Sequence, residues 1–259
     1  MSSLDEIREI ARRTTKKEKT RKEKAKRKPK IIIGEIDGVI GWGRRRNPLS
    51  RSNQSYKSGM LIRTKLNDMK PSVALNDSEI EEAFKIDALL QPNVVGIECQ
   101  PVTIPLPKLS ERGQDRSHTF DVRITLESGR VYLVYVKSER SLKTRSSVPT
   151  VAEIVAHTPA NLCDRITIIS DVSFSRNYRD NNRRILMCHL MPDPDADALI
   201  CGLVDKLSTP LRIKTLVEKS GLKKSQAWQA VLRMIGAGRI GTERDAVIAY
   251  PSLIWRPEQ

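Results

Sequence analysis

The spacing of apolar residues changes period several times along this chain, and each change marks an element. From Asn76-Asp77-Ser78 the period is helical: Ile80, Ala83, Phe84, Asp87 and Ala88 share one mostly apolar side. This predicts a helix to about Leu90, closed by Pro92 and Asn93. Val94–Ile104 alternates and reads as a strand, and Pro105–Arg116 is a polar loop. Two consecutive strands follow, Ser117–Leu126 and Arg130–Lys137, joined by Glu127-Ser128-Gly129. Thr150–His157 reads as a helix, Arg165–Ser170 as a buried strand and Arg176–Leu190 as a basic helix. Upstream, the β-branched stretch Lys30–Ile40 reads as strands broken at Gly34 and Gly38, and Met60–Lys65 and Ser72–Leu75 read as short strands. Helices alternating with strands around a mixed sheet predict an α/β domain over residues 31–190.

After an acidic, proline-containing linker, Met191–Asp195, the pattern becomes helical three times: Ala196–Leu207, Arg212–Ser220 and Ser225–Ala237. Gly238–Tyr250 then reads as a short two-stranded wing. Three helices and a wing predict a winged helix-turn-helix domain over residues 196–259. Lys223–Ile235 would be its recognition helix, with Gln226, Gln229 and Arg233 facing a DNA groove and Lys223, Lys224 and Arg239 near phosphates. A winged helix that docks protein instead is the other reading.

Charge changes this picture. Lys and Arg exceed Asp and Glu by 15 over 259 residues. Residues 1–30 hold 13 basic and 5 acidic side chains, a net of +8. A balance this basic suggests a polyanionic partner, nucleic acid before membrane. The tail reads as disordered, or as an arm that becomes helical on DNA. The basic loop Gly41–Gly59 offers Arg44, Arg45 and Arg46 for a DNA backbone and Trp42 for stacking, although Trp42 also suits the core. No apolar run approaches 18 residues and no secretory signal precedes the domain, so neither a membrane span nor export is expected. Four scattered cysteines and three histidines predict reduced thiols, a cytoplasmic setting and no structural zinc.

The chemistry concentrates in Glu81, Asp121 and Lys137. The two strands bring Asp121 and Lys137 side by side, the arrangement with which a nuclease holds a divalent metal and positions water. Hard oxygen donors suit Mg²⁺ or Mn²⁺. Asp121 would be the central ligand, the carbonyl of Val136 another, and Glu81 a third or the holder of a metal-bound water. Lys137 would orient the nucleophile or stabilise the developing anion. Each has a structural alternative: Ser78-Glu-Ile-Glu81 fits a capping box, Asp121 could pair with Arg123 or Lys137, and Lys137 could simply end an apolar strand.

Three segments carry a family resemblance: Ser78–Phe84, Pro92–Ile104, and the hairpin holding Thr119–Val122 and Tyr135–Lys137. Together they resemble the TnsA endonuclease subunit of heteromeric transposases, over roughly Asp77 to Ser252. The resemblance implies a restriction-endonuclease-like fold of the PD-(D/E)xK type, a mixed sheet flanked by helices. It also implies Mg²⁺-dependent cutting at the 5′ ends of a transposable element, with Glu81, Asp121 and Lys137 in the catalytic positions. The implied partners are double-stranded DNA at transposon ends, a DDE-type transposase and an AAA+ regulator ATPase, at the nucleoid. Two residues before the lysine, where the pattern has Asp, Glu or Gln, this chain has Tyr135, whose neutral phenol is a poor Mg²⁺ ligand. A catalytically weak DNA-binding adaptor, a winged-helix regulator with a degenerate core and a free-standing nuclease are the competing readings.

Overall fold

The computed structural model describes residues 33–43, 47–50, 56–107, 116–144 and 147–257. The basic tail, Arg44–Arg46 and most of the polar loop before Arg116 lie outside these residues. The described part is a mixed α/β structure built on a four-stranded sheet. In chain order its elements are β1 (Ser58–Ile62), β2 (Ser72–Asn76), α1 (Glu79–Leu90), β3 (Val94–Cys99), β4 (Thr103–Leu106), β5 (Arg116–Thr119), β6 (Val122–Leu126) and β7 (Val131–Val136). There follow α2 (Glu139–Leu142), α3 (Ser147–His157), β8 (Arg165–Ile169) and α4 (Arg176–His189). The C-terminal portion comprises α5 (Pro194–Val204), β9 (Leu211–Arg212), α6 (Ile213–Ser220), α7 (Lys224–Gly236), β10 (Gly241–Thr242) and β11 (Leu253–Trp255).

The main sheet runs β3-β6-β7-β8, with β3–β6 and β6–β7 antiparallel and β7–β8 parallel. The β6–β7 hairpin closes where Gly129, at φ +82°, adopts a left-handed conformation that a side chain would strain. One sheet face buries Ile97, Val122, Ile124, Val134 and Val136 against Ala88 of α1 and against Ile62 and Ala74 of the β1–β2 ribbon. The other face buries Leu133 with Phe120, Ile104 and Leu106 of the β4–β5 ribbon and Ile154 of α3. Strand β8 takes the sheet edge, so the run read as buried leaves Ile168 38% exposed.

Several expected elements are shorter or divided. The Val94–Ile104 strand breaks at Gln100, which has φ +46° and precedes Pro101; β4 then leaves the main sheet to pair with β5. The Ser117–Leu126 strand breaks at the same level, because Phe120 follows β4 while Val122 joins β7. Residues 33–39 form no strand: only Ile40 bridges Ser72, and Ile36 remains exposed. A β-branched run becomes a strand only where a partner edge accepts it. The wing also differs: Gly241–Thr242 pairs with Leu253–Trp255, beyond Tyr250, and β9 joins β11 on its other side.

The boundary at 190–196 is not a break in packing. Ile185 and Cys188 of α4 are buried in the same core as Ile200, Leu216, Val231 and Ile254 of the C-terminal portion. Helix α7 lies against α4, α5 and α6. The closest approach is at Gly236, where a Cβ would stand 2.4 Å from Ile185 Cγ2 and 2.5 Å from His189 Nε2. All four cysteines are free thiols, and among the described residues no helix is long and apolar enough to cross a membrane. Gly236→Ala should therefore force α4 and α7 apart and cost about 1–3 kcal/mol of stability, read as a lowered urea midpoint.

Candidate active site

Asp121 stands where the β6–β7 ladder ends. Its N–H donates to the Val134 carbonyl (3.0 Å), its own carbonyl accepts from Gln100 N–H (2.8 Å), and its Oδ2 accepts from Val136 N–H (2.8 Å). Two main-chain bonds and one to the carboxylate thus fix Asp121 between β3 and β7. The last ladder pair is Val122–Val134, so Val136 has no β6 residue opposite it. In a strand the N–H and C=O of one residue point to the same side. The Val136 carbonyl therefore faces the edge at which Asp121 sits. Lys137 N–H turns the other way, to the Ile169 carbonyl at 2.9 Å.

Gln100 adds a constraint. It is a non-glycine residue in the left-handed region, a conformation that costs about 1 kcal/mol or more. Its N–H is the group that holds the Asp121 main chain. The corner that ends β3 is thus also the corner that positions the carboxylate.

Tyr135 belongs to the aromatic core. Its ring meets His118 edge-on at 4.6 Å between centroids, and His118 meets Phe120 at 4.8 Å. Lys137 Nζ lies 5.9 Å from the Tyr135 ring centroid, at the outer limit of a cation–π contact. Tyr135 is thus a packing residue that flanks the lysine.

Glu81 is in the first turn of α1. Ser78 is the N-cap and its Oγ accepts from Glu81 N–H (3.2 Å). Glu81 Oε2 accepts from Asp77 N–H (3.1 Å), one residue before the expected Ser78, and Oε1 lies 3.5 Å from Ser78 Oγ. The capping reading is thus the geometry observed, and the side chain is buried at 9% exposure. Helix α1 turns directly into β3, so its N-terminal end lies at the end of the sheet where β3 meets Asp121. The fold brings Asp121 to Val136, the residue before Lys137; it brings Glu81 to the same end of the sheet with its carboxylate turned to the helix cap.

Two arrangements escaped sequence reading. Lys85, 1% exposed, donates to the Leu75 carbonyl (3.0 Å) and Asn76 Oδ1 (2.8 Å), tying α1 to the end of β2. Its i+4 spacing from Glu81, on the buried side of α1, was the available signal. Arg183 of α4 pairs with Glu82 at 2.6 Å and Glu79 at 3.3 Å, and Arg179 pairs with Glu79 at 3.4 Å. Burial pulls the Arg183 pKa down, but the Glu82 carboxylate outweighs it and holds the guanidinium above its usual range. Tyr178 also donates to Asp87; burial first, then that carboxylate, pushes its phenol above the ordinary value. Nothing in the local pattern of α1 or α4 announces these partners.

Among the described residues no three His, Cys, Asp or Glu side chains cluster closely enough to hold a metal between them. Mg²⁺ does not need such a cage, since it is commonly held by one or two carboxylates with waters and substrate phosphates completing the shell. The Asp121 carboxylate and Val136 carbonyl are hard oxygen donors on one strand edge, and in that respect they fit Mg²⁺ or Mn²⁺.

The C-terminal DNA candidates fare unevenly. Lys223 and Lys224 are exposed at the start of α7. Arg233 is 3% exposed; its Nε donates to Asp197 of α5 at 2.8 and 3.0 Å, and its Nη1 to the Met191 carbonyl at 2.9 Å. It cannot face a groove. Gln226 donates to Asp193, the N-cap of α5, at 2.8 Å; this bond leads in holding the Asp193 carboxyl below its usual range. Gln229 is half-buried, and Arg239 is paired with Asp205 at 3.4 Å. Helix α7 turns toward its neighbours because Ala227, Ala230, Val231 and Leu232 bury most of its circumference. Trp42 is partly buried against the face that carries α1.

No protein-family model matches this chain, and no curated protein matches it either. Arg233→Ala should leave Asp197 facing an empty site and cost about 3 kcal/mol, seen as a lowered thermal midpoint. Lys223→Ala at the exposed end of the same helix should leave that midpoint unchanged within about 0.5 kcal/mol.

Proposed function

We propose that this chain is a metal-dependent DNA endonuclease of the TnsA type, with a restriction-endonuclease-like core, acting as the subunit that cuts the 5′ ends of a transposable element. The observation that carries this reading is the Asp121 carboxylate held by Val136 N–H at the point where the β6–β7 ladder ends, one residue before Lys137. The Asp121 carboxylate and the Val136 carbonyl would hold Mg²⁺ or Mn²⁺. When bound, the ion would supply positive charge at the scissile phosphate and a more acidic water. The Val136 and Gln100 N–H groups keep Asp121 in one orientation, so little reorganisation accompanies the reaction. Lys137, at the end of β7, supplies an ammonium toward the negative charge that develops on the phosphate. Glu81 joins the site only by releasing the Asp77 N–H, which makes it an auxiliary to Asp121 in this reading.

The three helices and small sheet of the C-terminal portion support a winged-helix reading, with α7 as its third helix. Its inward-facing Arg233 and its packing on α4 favour a protein-docking module over a reader of DNA sequence. The DDE transposase and the AAA+ regulator are the partners this reading assigns. Phosphate contacts fall to Lys223, Lys224, Arg44–Arg46 and the N-terminal tail.

A second reading, the catalytically weak DNA-binding adaptor, is favoured by Tyr135 being built into the aromatic core and by Glu81 being used as a cap. Cleavage of a labelled duplex carrying a candidate element end, with Mg²⁺ or Mn²⁺ and with or without the partner proteins, separates the two. Asp121→Ala should abolish metal-dependent cutting while duplex binding persists. Lys137→Ala should slow cutting about 10²–10³-fold. Cutting that survives Asp121→Ala would sink the nuclease assignment, and binding without cutting under either metal would establish the adaptor.

A further inference from the structure

A cleft of about 480 Å³ opens where the C-terminal turn of α1, the middle of α4 and the stretch after α7 meet. That stretch is pinned to α4 by side chains that bond its main chain. Asn177 Nδ2 donates to the Asp245 carbonyl (3.0 Å), Asn181 Nδ2 to the Ala246 carbonyl (2.7 Å) and Arg184 Nη1 to the Ile248 carbonyl (3.0 Å). Asn181 Oδ1 accepts from Ile248 N–H at 3.1 Å. The cleft is therefore formed before anything enters it.

Leu90, Ile185, Ile235 and Ile240 give it an apolar lining, and Asp87 stands among them. Tyr178 and Asn182 both donate to Asp87 Oδ1, and no donor among the described residues reaches Oδ2. Arg244 also lines the cleft but is engaged elsewhere: its guanidinium lies 4.2 Å from the Tyr178 ring centroid and donates to the Ser173 carbonyl at 3.1 Å. Exposed Glu243 adds a second carboxylate. Such a lining suits an apolar segment that carries one cation. A phosphate would meet two acids, and a purely apolar occupant would strand Asp87 without a partner.

The chain contains such a segment outside the described residues. Within residues 4–13, Leu4, Ile7 and Ala11 share one side at helical spacing, Arg8 borders them, and Glu6 and Glu9 fall opposite. Residues 14–30 contain no Leu, Ile, Val, Met or aromatic side chain and offer nothing to an apolar wall. The roughly 20 residues from Arg13 to the first described residue reach about 65 Å when extended, against about 45 Å across a compact chain of this length.

We infer that residues 4–13 seat in this cleft on their own chain, with Leu4, Ile7 and Ala11 on the apolar lining and the Arg8 guanidinium on Asp87 Oδ2. Helix-in-groove docking uses apolar anchors at this spacing. Docking would root the tail where α4 and α7 cross and leave the basic run 14–30 outside for phosphates. The inference goes beyond the nuclease reading and does not depend on it.

Photocrosslinking in the full chain tests this. Ile10, at the border of the apolar stripe, is replaced by benzoylphenylalanine. An equal mixture of isotope-labelled and unlabelled chains is irradiated, and the cross-linked peptides are mapped by mass spectrometry. Cross-links should fall within one chain, on residues 87–92, 178–185 or 235–248. Two variants should each cut their yield about tenfold, with unfolding midpoints near wild type. Ala237→Trp fills the cleft from an exposed lining position, and Arg8→Glu reverses the charge in the tail and leaves the fold untouched. Cross-links that fall outside the cleft, or that persist unchanged in Arg8→Glu and Ala237→Trp, would overturn the inference. Cross-links that join labelled to unlabelled chains would overturn seating on the same chain and make a second copy the donor. The readout is the same whether or not the protein cuts DNA.

Discussion

Helix α4 is the constraint on which the arrangement depends, because it is tied to α1 by ion pairs while its apolar side is buried in the C-terminal core. Along its first half, Arg179 and Arg183 hold the acidic first turn of α1, and Tyr178 holds Asp87. Along its second half, Ile185 and Cys188 are buried in the C-terminal core, and Gly236 lets α7 cross closely. The ion pairs are partly exposed and each contributes little by itself. Apolar burial is the larger stabilising term, at about 25 cal/mol per Å² of surface removed from water. The ion pairs instead fix direction: they set the orientation of the helix end that bears Glu81.

The same crossing explains why the third C-terminal helix is not a free reading head. A helix of a small three-helix unit has an outward face only where nothing covers it. Here α4, α5 and α6 surround α7, and Arg233 is drawn in to neutralise Asp197. What remains fully exposed is its start, Lys223, Lys224 and Ser225. Surface charge of that kind supports non-specific contact with phosphates, and base recognition would need side chains that this packing has turned inward.

At the sheet, the candidate site lies where regular hydrogen bonding stops. A ladder that continued past Val122 would have used Val136 for pairing, and Asp121 would have been one more strand residue. The break at Gln100, which adopts an uncommon backbone conformation, pulls β4 out of the main sheet and lets an aspartate side chain replace a main-chain partner.

The helical stretch after Ser78, the Gly129 hairpin, the β8 strand, α4 and the three C-terminal helices were legible in the sequence, because each depends on local period, capping or turn residues. That Asp121 meets the end of β7 was legible too, since a hairpin with a short turn fixes register. Tertiary structure decided the remainder. Whether β-branched residues near Ile36 form a strand depends on a free partner edge. Whether Glu81 caps or reaches into a site depends on where Asp77 N–H points. Whether Arg233 meets DNA or Asp197 depends on which helix lies against it. Local sequence sets what a segment favours. Burial, and the need of every buried charge for a partner, set which side of it is used, and that is a property of neighbours far away along the chain.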